Sequence, residues 1–377
     1  MVNILVTGAK GFVGKNLCSA LRQQKQVALY EYDLDNSRNE LRKSLAIADV
    51  IFHLAGINRP KDNSEYHPGN AGFTGEICSL LQTQGRFPKI VFASSIQAEM
   101  ENPYGASKLA AEEILRNFAT TSGSECVVYR LYNLFGKWCR PNYNAVTATF
   151  CYNTAHDLPL SISDPAHAIE LSYIDDVMEA FLREIEGRSP GFRYADRLGV
   201  YRVTLGELAE IIQSFKLMRS GLQLPDFSLP FVRALYATYL SYLDQADFGY
   251  SLVSKTDPRG SLAEFIKTPQ MGLVFISRTR PGVTRGNHYH HTKVEKFLVL
   301  EGDAIIRFRH ILGTEVIEYC VRGEDYRVVD IPPGFTHSIQ NIGTGDLITL
   351  FWADEVFNPD KPDTIFDQVL KEPESPS

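Results

Sequence analysis

Nowhere in the 377 residues is there a run of about 18 uncharged apolar residues, so the sequence offers no candidate for a membrane-spanning helix. An excess of positive charge is missing as well. Lys and Arg number 38 against 45 Asp and Glu, a formal charge of −7, which lacks the basic footprint of a nucleic-acid binder. Cysteine is sparse: positions 18, 78, 126, 139, 151 and 320 include no CxxC pair and no zinc-finger spacing. They read as scattered thiols of a reducing compartment that fill the core. No secretory leader is expected, because Met1 to Val6 passes straight into a short apolar run ending at Thr7-Gly8; the expected location is the cytoplasm. No internal repeat is visible. What remains is an ordinary globular mixture, 44% hydrophobic and 22% charged. At roughly 150 residues per domain it predicts two or three folded units.

Two patterns divide the chain near residue 245. Before it, short runs rich in Val and Ile (4–6, 27–30, 50–54, 90–93, 127–131) alternate with amphipathic stretches at 14–24, 70–83 and 107–119. Apolar runs without alternation, separated by helices, predict a parallel sheet covered on both faces. After residue 250, strand-like segments (273–278, 296–300, 304–310, 315–319, 327–331, 346–352) are spaced by Gly- and Pro-bearing turns. They predict an antiparallel sandwich or barrel. Residues 229–243 read as a helical connector, and the tail 372–377 lacks apolar content and is expected to be disordered.

Between the first strand and the first helix lies Gly8-Ala9-Lys10-Gly11-Phe12-Val13-Gly14. Gly8 permits the tight turn, Gly11 a close approach to a pyrophosphate, and Gly14 close packing of helix on strand. The helix N-terminus adds free N–H groups and a partial positive charge. After the second strand, Glu31 or Asp33 suits a ribose 2′-hydroxyl, whereas Arg38 suits a 2′-phosphate. Both alternatives stay open. Further on, Ser94-Ser95 ends the fourth run and Tyr104-x3-Lys108 opens the next helix. Tyr and Lys four apart share a helix face, and an ammonium beside a phenol is expected to lower its pKa below about 10. Such a tyrosine is a general acid or base towards a carbonyl or alcohol oxygen.

TGAKGFVG, DVIFHLAG, FASS and YGASK together resemble the extended short-chain dehydrogenase/reductases over residues 1–245, a Rossmann-type doubly wound α/β domain. The resemblance implies that Ser95 or Ser94 orients the substrate, Tyr104 moves the proton, and Lys108 tunes Tyr104 and contacts the cofactor. Asn70 would join a proton relay. Phe12, Val13, Leu54 and Ala55 would lie against the dinucleotide. The segments RLYNLFG and YIDDV are similar to those with which sugar-nucleotide members hold substrate, so Arg130 and Asn133 are expected there. Ser95 and Tyr104 are only nine positions apart, fewer than the family usually has, which suggests a trimmed loop.

In the second half, Gly282-x5-His288-x-His290-x4-Glu295-x6-Gly302 precedes Pro332-x-Gly334-x2-His337-x3-Asn341. His288 and His290 share one strand face by the two-residue period. With Glu295 and His337 they make a donor set suited to zinc, iron, manganese or nickel. His291 should face away. These paired motifs resemble the cupin family, an all-β jelly-roll barrel, over 246–371, with Tyr326 where the family has a glycine. Asp257-Pro258-Arg259-Gly260 is similar to the entry motif of cupin-type epimerases, implying Arg259 as an anion contact.

The whole chain resembles bifunctional enzymes of capsular polysaccharide synthesis. That resemblance implies a UDP-linked 4-keto-6-deoxy amino sugar as substrate, C3 epimerisation in the cupin domain and C4 reduction by NADPH, NADH being the other possible donor. It also implies a divalent metal, zinc, and a homodimer. Two rivals stand beside it: a cupin oxygenase fused to a dehydrogenase, and a non-catalytic dinucleotide sensor.

Overall fold

A computed structural model describes residues 1–356, 358–360 and 362–371; the tail 372–377, expected to be disordered, lies outside the described residues. The chain divides into two units, one of Met1–Ser214 with Pro230–Asp244 and one of Phe215–Leu229 with the chain from Gln245 onward. The stretch Phe215–Leu229 was expected to belong to the first domain. It joins the second unit because Leu222 and Leu224 exchange backbone hydrogen bonds with Lys267. Among the described residues, no helix is long and apolar enough to cross a membrane.

The first unit alternates strand and helix: β1 (Val2–Thr7), α1 (Phe12–Leu21), β2 (Val27–Tyr32), α2 (Arg38–Ile47), β3 (Val50–His53), α3 (Phe73–Gln84), β4 (Lys89–Ser95), α4 (Pro103–Ser122) and β5 (Glu125–Leu131). Then come β6 (Asn133–Phe135), α5 (Val146–Ala155), β7 (Ala168–Tyr173), α6 (Ile174–Arg183), β8 (Gly191–Tyr194), β9 (Tyr201–Thr204), α7 (Leu205–Ser220), whose end from Phe215 counts with the second unit, and α8 (Pro230–Leu240). The main sheet is parallel in the order β2-β1-β3-β4-β5-β8. Its strands are buried on both faces, which is why their sequences do not alternate. Leu5, Ile51, Phe92 and Val128 pack under Leu41, Leu81 and Leu115 of α2, α3 and α4. Ile4, Val6, Phe52 and Val127 pack under Leu17, Leu21 and Phe181 of α1 and α6. Strand order reverses between β1 and β3, where Thr7 stands beside His53, so the crevice for a ligand opens at the carboxyl ends of these strands. The strand β8, Gly-Phe-Arg-Tyr, carries no β-branched run and gives no sequence signal.

The second unit holds β10 (Ser254–Asp257), β11 (Gly260–Thr268), β12 (Gly272–Thr279), β13 (Thr284–Tyr289), β14 (Glu295–Glu301), β15 (Asp303–His310), β16 (Val316–Arg322), β17 (Val328–Ile331), β18 (Phe335–Asn341), β19 (Leu347–Ala353) and β20 (Ile365–Phe366). They form two antiparallel sheets, ordered β10-β11-β12-β19-β14-β17 and β16-β15-β18-β13-β20. Both sheets contribute to one core, with Phe297, Val329 and Phe351 from the first and Ile306, Phe308 and Ile339 from the second. Tyr326 adopts φ +45°, a left-handed conformation that ordinarily favours glycine, and the departure is confined to a turn. Five cysteines are buried free thiols, but Cys320 on β16 is exposed. It corrects the expectation that every cysteine fills the core, since its strand forms a sheet edge.

Candidate functional site

The glycine loop is a cradle that side chains would fill. Gly8 has φ +71° and a Cβ there would lie 2.7 Å from the Ala55 nitrogen; one on Gly14 would lie 2.1 Å from the Gly8 oxygen. Gly11 caps α1 without a side-chain hydrogen bond, and the first turn holds no acid. Its N–H groups and dipole therefore face the crevice uncompensated, which fits a pyrophosphate. Phe12, Val13 and Leu54 pack on the core below the loop, and the Ala55 N–H reaches the Thr7 hydroxyl at 3.4 Å. A Gly14→Ala substitution is expected to lower stability by about 1–3 kcal/mol and to weaken dinucleotide binding. Thermal unfolding and fluorescence titration would check it.

At the end of β2, Glu31 pairs with Arg22, and Asp33 accepts from the Lys10 N–H at 2.7 Å. Arg38, the candidate for a 2′-phosphate, instead pairs with Glu76 at 2.7 Å and lies over the Phe73 ring. Lys10, Lys15 and Arg22 surround Glu31 in an open cleft of about 560 Å³.

A short helical turn, Ile96–Glu99, fills the brief gap between Ser95 and α4. Asn102 caps α4 by accepting from the Gly105 N–H at 2.8 Å, with Pro103 in the first turn. This fixes Tyr104 on the side of Ser95, whose hydroxyl accepts from the Gln97 N–H at 3.2 Å and acts on the phenol so as to lower its pKa. Ser94 is committed elsewhere, donating to buried Glu112 at 2.5 Å. Lys108 is buried and donates to the Ala93 carbonyl at 2.9 Å, while its ammonium lies 6.0 Å from the centre of the Tyr104 ring. The electrostatics correct the expectation of a depressed phenol. Burial raises the Tyr104 pKa, against the Ser95 hydrogen bond. Burial also lowers Lys108 to about 8, with Glu112 opposing.

Asn70 sits in a π-helical turn, Pro68–Gly72. Its side-chain N–H groups reach the Ile57 carbonyl at 3.0 Å and the Ser107 hydroxyl at 2.8 Å, and its oxygen accepts from the Ile57 N–H. Both donors are committed, so the side chain braces the site and has no N–H free for the expected proton relay. A Cβ on Gly56 would come within 2.7 Å of the Asn70 Oδ1 and 3.2 Å of the Lys108 Nζ, so glycine there leaves room for both groups. Below them, His53 lies buried between the hydroxyls of Thr7 and Thr74. Burial pushes its pKa down to about 3.

Arg130, expected to hold substrate, is consumed by the protein. It makes a two-pronged pair with Glu112 at 2.6–3.2 Å and also reaches Glu99 and the Tyr194 hydroxyl. The arginine, Glu99 and Tyr194 line a cavity of about 240 Å³. Asn133 is exposed at the start of β6. Arg259 pairs with Asp257 at 2.6 Å and remains largely exposed.

In the second unit, β13 and β18 pair so that His288 stands opposite His337. Their donor atoms, with those of His290 and Glu295, all lie within 4.8 Å of one another. His290 donates through Nδ1 to the Asp363 carbonyl, and His337 through Nδ1 to the Phe335 carbonyl at 3.3 Å. Both Nε2 atoms are consequently buried, without a hydrogen-bond partner, and each lies 3.5 Å from the Glu295 Oε2. Burial and the neighbouring imidazoles lower His288 to about 3, keeping it neutral. Burial works against the ionised form of Glu295, but His290, His337 and Lys293 outweigh it and keep the carboxylate charged. Three imidazoles and one carboxylate whose donor atoms face one another fit a divalent cation. His291 is exposed. Two groups had no sequence signal: Lys293, 3.2 Å from Glu295, and Asp363.

Comparison with known proteins agrees with this geometry. Residues 4–193 match the NAD dependent epimerase/dehydratase family, and residues 255–365 match the polysaccharide biosynthesis C-terminal domain. A curated relative from Pseudomonas aeruginosa, UDP-2-acetamido-2,6-beta-L-arabino-hexul-4-ose reductase, is 41% identical over 96% of this chain and 98% of its own. The crystal structure of the capsular polysaccharide assembling protein CapF from Staphylococcus aureus superposes with a TM-score of 0.91 at 45% identity. The match covers 98% of this chain and all of that one. A UDP-glucuronic acid 4-epimerase from Bacillus cereus, 19% identical with TM-score 0.55, shares the fold over 64% of this chain. The chain is therefore an enzyme of the NAD-dependent epimerase/dehydratase family, of the CapF-like branch that carries a polysaccharide biosynthesis C-terminal domain.

Proposed function

We propose that the chain converts a UDP-2-acetamido-2,6-dideoxy-4-hexulose in two steps, C3 epimerisation in a cupin domain (246–371) and NADPH-dependent reduction of C4 in the Rossmann domain (1–245). The product belongs on the route to UDP-N-acetyl-L-fucosamine. The enzyme would act as a cytoplasmic homodimer. The observation that carries the reading is the pairing, in one chain, of a Tyr104–Ser95 proton-donor site with a His288/His290/Glu295/His337 cluster. One ketone serves both. It acidifies the neighbouring C3–H, and it accepts hydride.

When bound, NADPH would supply the hydride, and a divalent ion, zinc, held by the four cluster residues would supply Lewis acidity near the ketone oxygen. The protein's own groups do the rest. Tyr104, kept protonated by burial, donates its proton to O4 as C4 becomes tetrahedral. Ser95 holds the phenol through its hydroxyl, and Lys108 presents its ammonium at the cofactor side. Gly8, Gly11 and Gly14 admit the pyrophosphate. Lys15, which lines the cleft beside the Arg22–Glu31 pair, is the cation that supports NADPH over NADH. Arg259 at the second unit's turn would contact the substrate's phosphates.

The test is to incubate the chain with a UDP-linked 4-keto-6-deoxy amino sugar in deuterated water, with and without NADPH. Deuterium at C3 without reductant, and reduction at C4 only with it, is the expected result; failure of both sinks the reading.

Lys108 sets a pH dependence. With a pKa of about 8, its ammonium is present below that pH and lost above it. If the competent form carries that proton, kcat/KM for NADPH is flat below pH 8 and falls about tenfold per unit above it. Lys108→Arg, which stays charged, should remove the break. A pH profile that is level through pH 9.5 would refute this assignment.

A further inference from the structure

The last described segment of the chain, residues 362–371, has no motif and was read only as the end of a domain. In the structure it is bonded to three of the four cluster-bearing strands or turns. Asp363 takes the largest share. Its carboxylate accepts from the N–H groups of His291 (2.9 Å), Thr292 (2.7 Å) and Lys293 (3.0 Å) and from the Thr292 hydroxyl (2.9 Å). Its main-chain carbonyl accepts from the His290 Nδ1. One residue thus fixes positions 291–293 of the turn between His290 and Glu295, Val294 being held by Asp354, and also the tautomer of His290.

The rest of the segment continues the hold. β20 pairs with the histidine-bearing end of β13, Phe366 against His288 and Ile365 against Tyr289. The Asp367 N–H reaches the Asn287 carbonyl at 3.0 Å. The Asp367 carboxylate accepts from Arg309 at 2.5 Å and from the Thr336 hydroxyl at 2.6 Å, next to His337. Buried Arg309 also reaches the carbonyls of Gln368 and Val369. Isolated, a carboxylate receiving this many donors would be an ordinary loop clamp. Here every anchor except Arg309 lies within two positions of a cluster residue.

We propose that residues 363–369 are a latch that presents the metal-binding side chains, with Asp363 the positioning residue that sets metal affinity. The proposal rests on the metal reading above. Its physical basis is that an imidazole binds metal through one nitrogen more tightly when the other nitrogen's hydrogen bond fixes ring and tautomer. A second basis is that donors held in place before binding lose less freedom on binding. The Asp363 carbonyl provides the first. Its carboxylate provides the second by holding residues 291–293, which link His290 to the strand that carries Glu295.

The experiment measures zinc affinity and release from the full chain by competition with a chromophoric chelator. Variants are Asp363→Ala, Asp363→Asn and, as a control, Asp330→Asn in an exposed pair with Lys296. Asp363→Ala is expected to weaken zinc binding about 10–100-fold and to speed release, with Asp363→Asn between it and the wild type. The control should not change. Affinity within twofold of wild type in Asp363→Ala overturns the proposal, even if its melting temperature falls, because a purely structural clamp would move stability alone. If Asp363→Ala does not fold, Asp363→Asn decides by the same criterion. Amide exchange of the metal-free wild type adds an independent arm: protected N–H groups at 291–293 support the latch, and unprotected ones overturn it. A wild-type chain that binds no zinc overturns the metal reading and the latch with it, an outcome distinct from equal binding by wild type and variant.

Discussion

Replacing Tyr104 by Phe is expected to lower kcat for NADPH oxidation by about 10²–10⁴-fold, the usual contribution of a placed proton donor. Solvent deuterium should still enter C3 at the wild-type rate. The phenol is the group that sits on Ser95, and its removal takes away only the hydroxyl. The ring keeps its contact with Tyr66, whose centroid is 5.6 Å away, so the fold should not change. Stopped assays of nicotinamide absorbance and product NMR separate the two readouts. Loss of both activities together would mean that the two chemistries share one site. A dinucleotide sensor would have no use for this donor, and an unaltered kcat would point that way.

The reductase site was legible in outline because its parts are local. A glycine loop must follow a strand, and a tyrosine and lysine four apart must share a helix face. The correct serine was not legible. Ser94 and Ser95 are neighbours of one type, and only the structure shows that strand alternation sends Ser94 down to buried Glu112 and Ser95 up to Tyr104. Reading the phenol's acidity from spacing failed for a related reason. An ammonium at helical distance acts on its neighbour only if it points there, and Lys108 is turned to the Ala93 carbonyl. Burial then decides both pKa values. Arg130 illustrates the same limit, since a motif gives a position and the long side chain was taken by Glu112.

The histidine–glutamate cluster was legible because histidines two apart on a strand, with a glutamate after a short turn, make a recognisable donor pattern. The strand β18 and the start of β13 gave no propensity signal, being rich in Gly, His, Ser and Asn, and a strand at 288–290 followed only from the two-residue spacing of its histidines. Asp363 was invisible for a stronger reason. It lies about 70 positions from the turn it holds and works partly through its own backbone, which carries no residue signature.

His337→Ala should abolish stoichiometric zinc binding and slow C3 exchange by at least about 100-fold, the loss of a Lewis acid worth several kcal/mol. Reduction of an already epimerised substrate should continue. His337 is the ligand of choice for this test because it is fully buried and opposite His288, so its loss opens the centre of the cluster. Removing one imidazole also leaves the Glu295 carboxylate with His290 and Lys293 as near partners, and Lys293 can then close onto it. Added zinc should therefore fail to restore exchange, whereas in the wild type stripped by chelator it should succeed. Metal analysis, deuterium incorporation at C3 and NADPH oxidation on the same preparations check each part. Undiminished exchange in a variant shown to hold no metal would place the acidifying group elsewhere in the barrel and leave the cluster with a structural task.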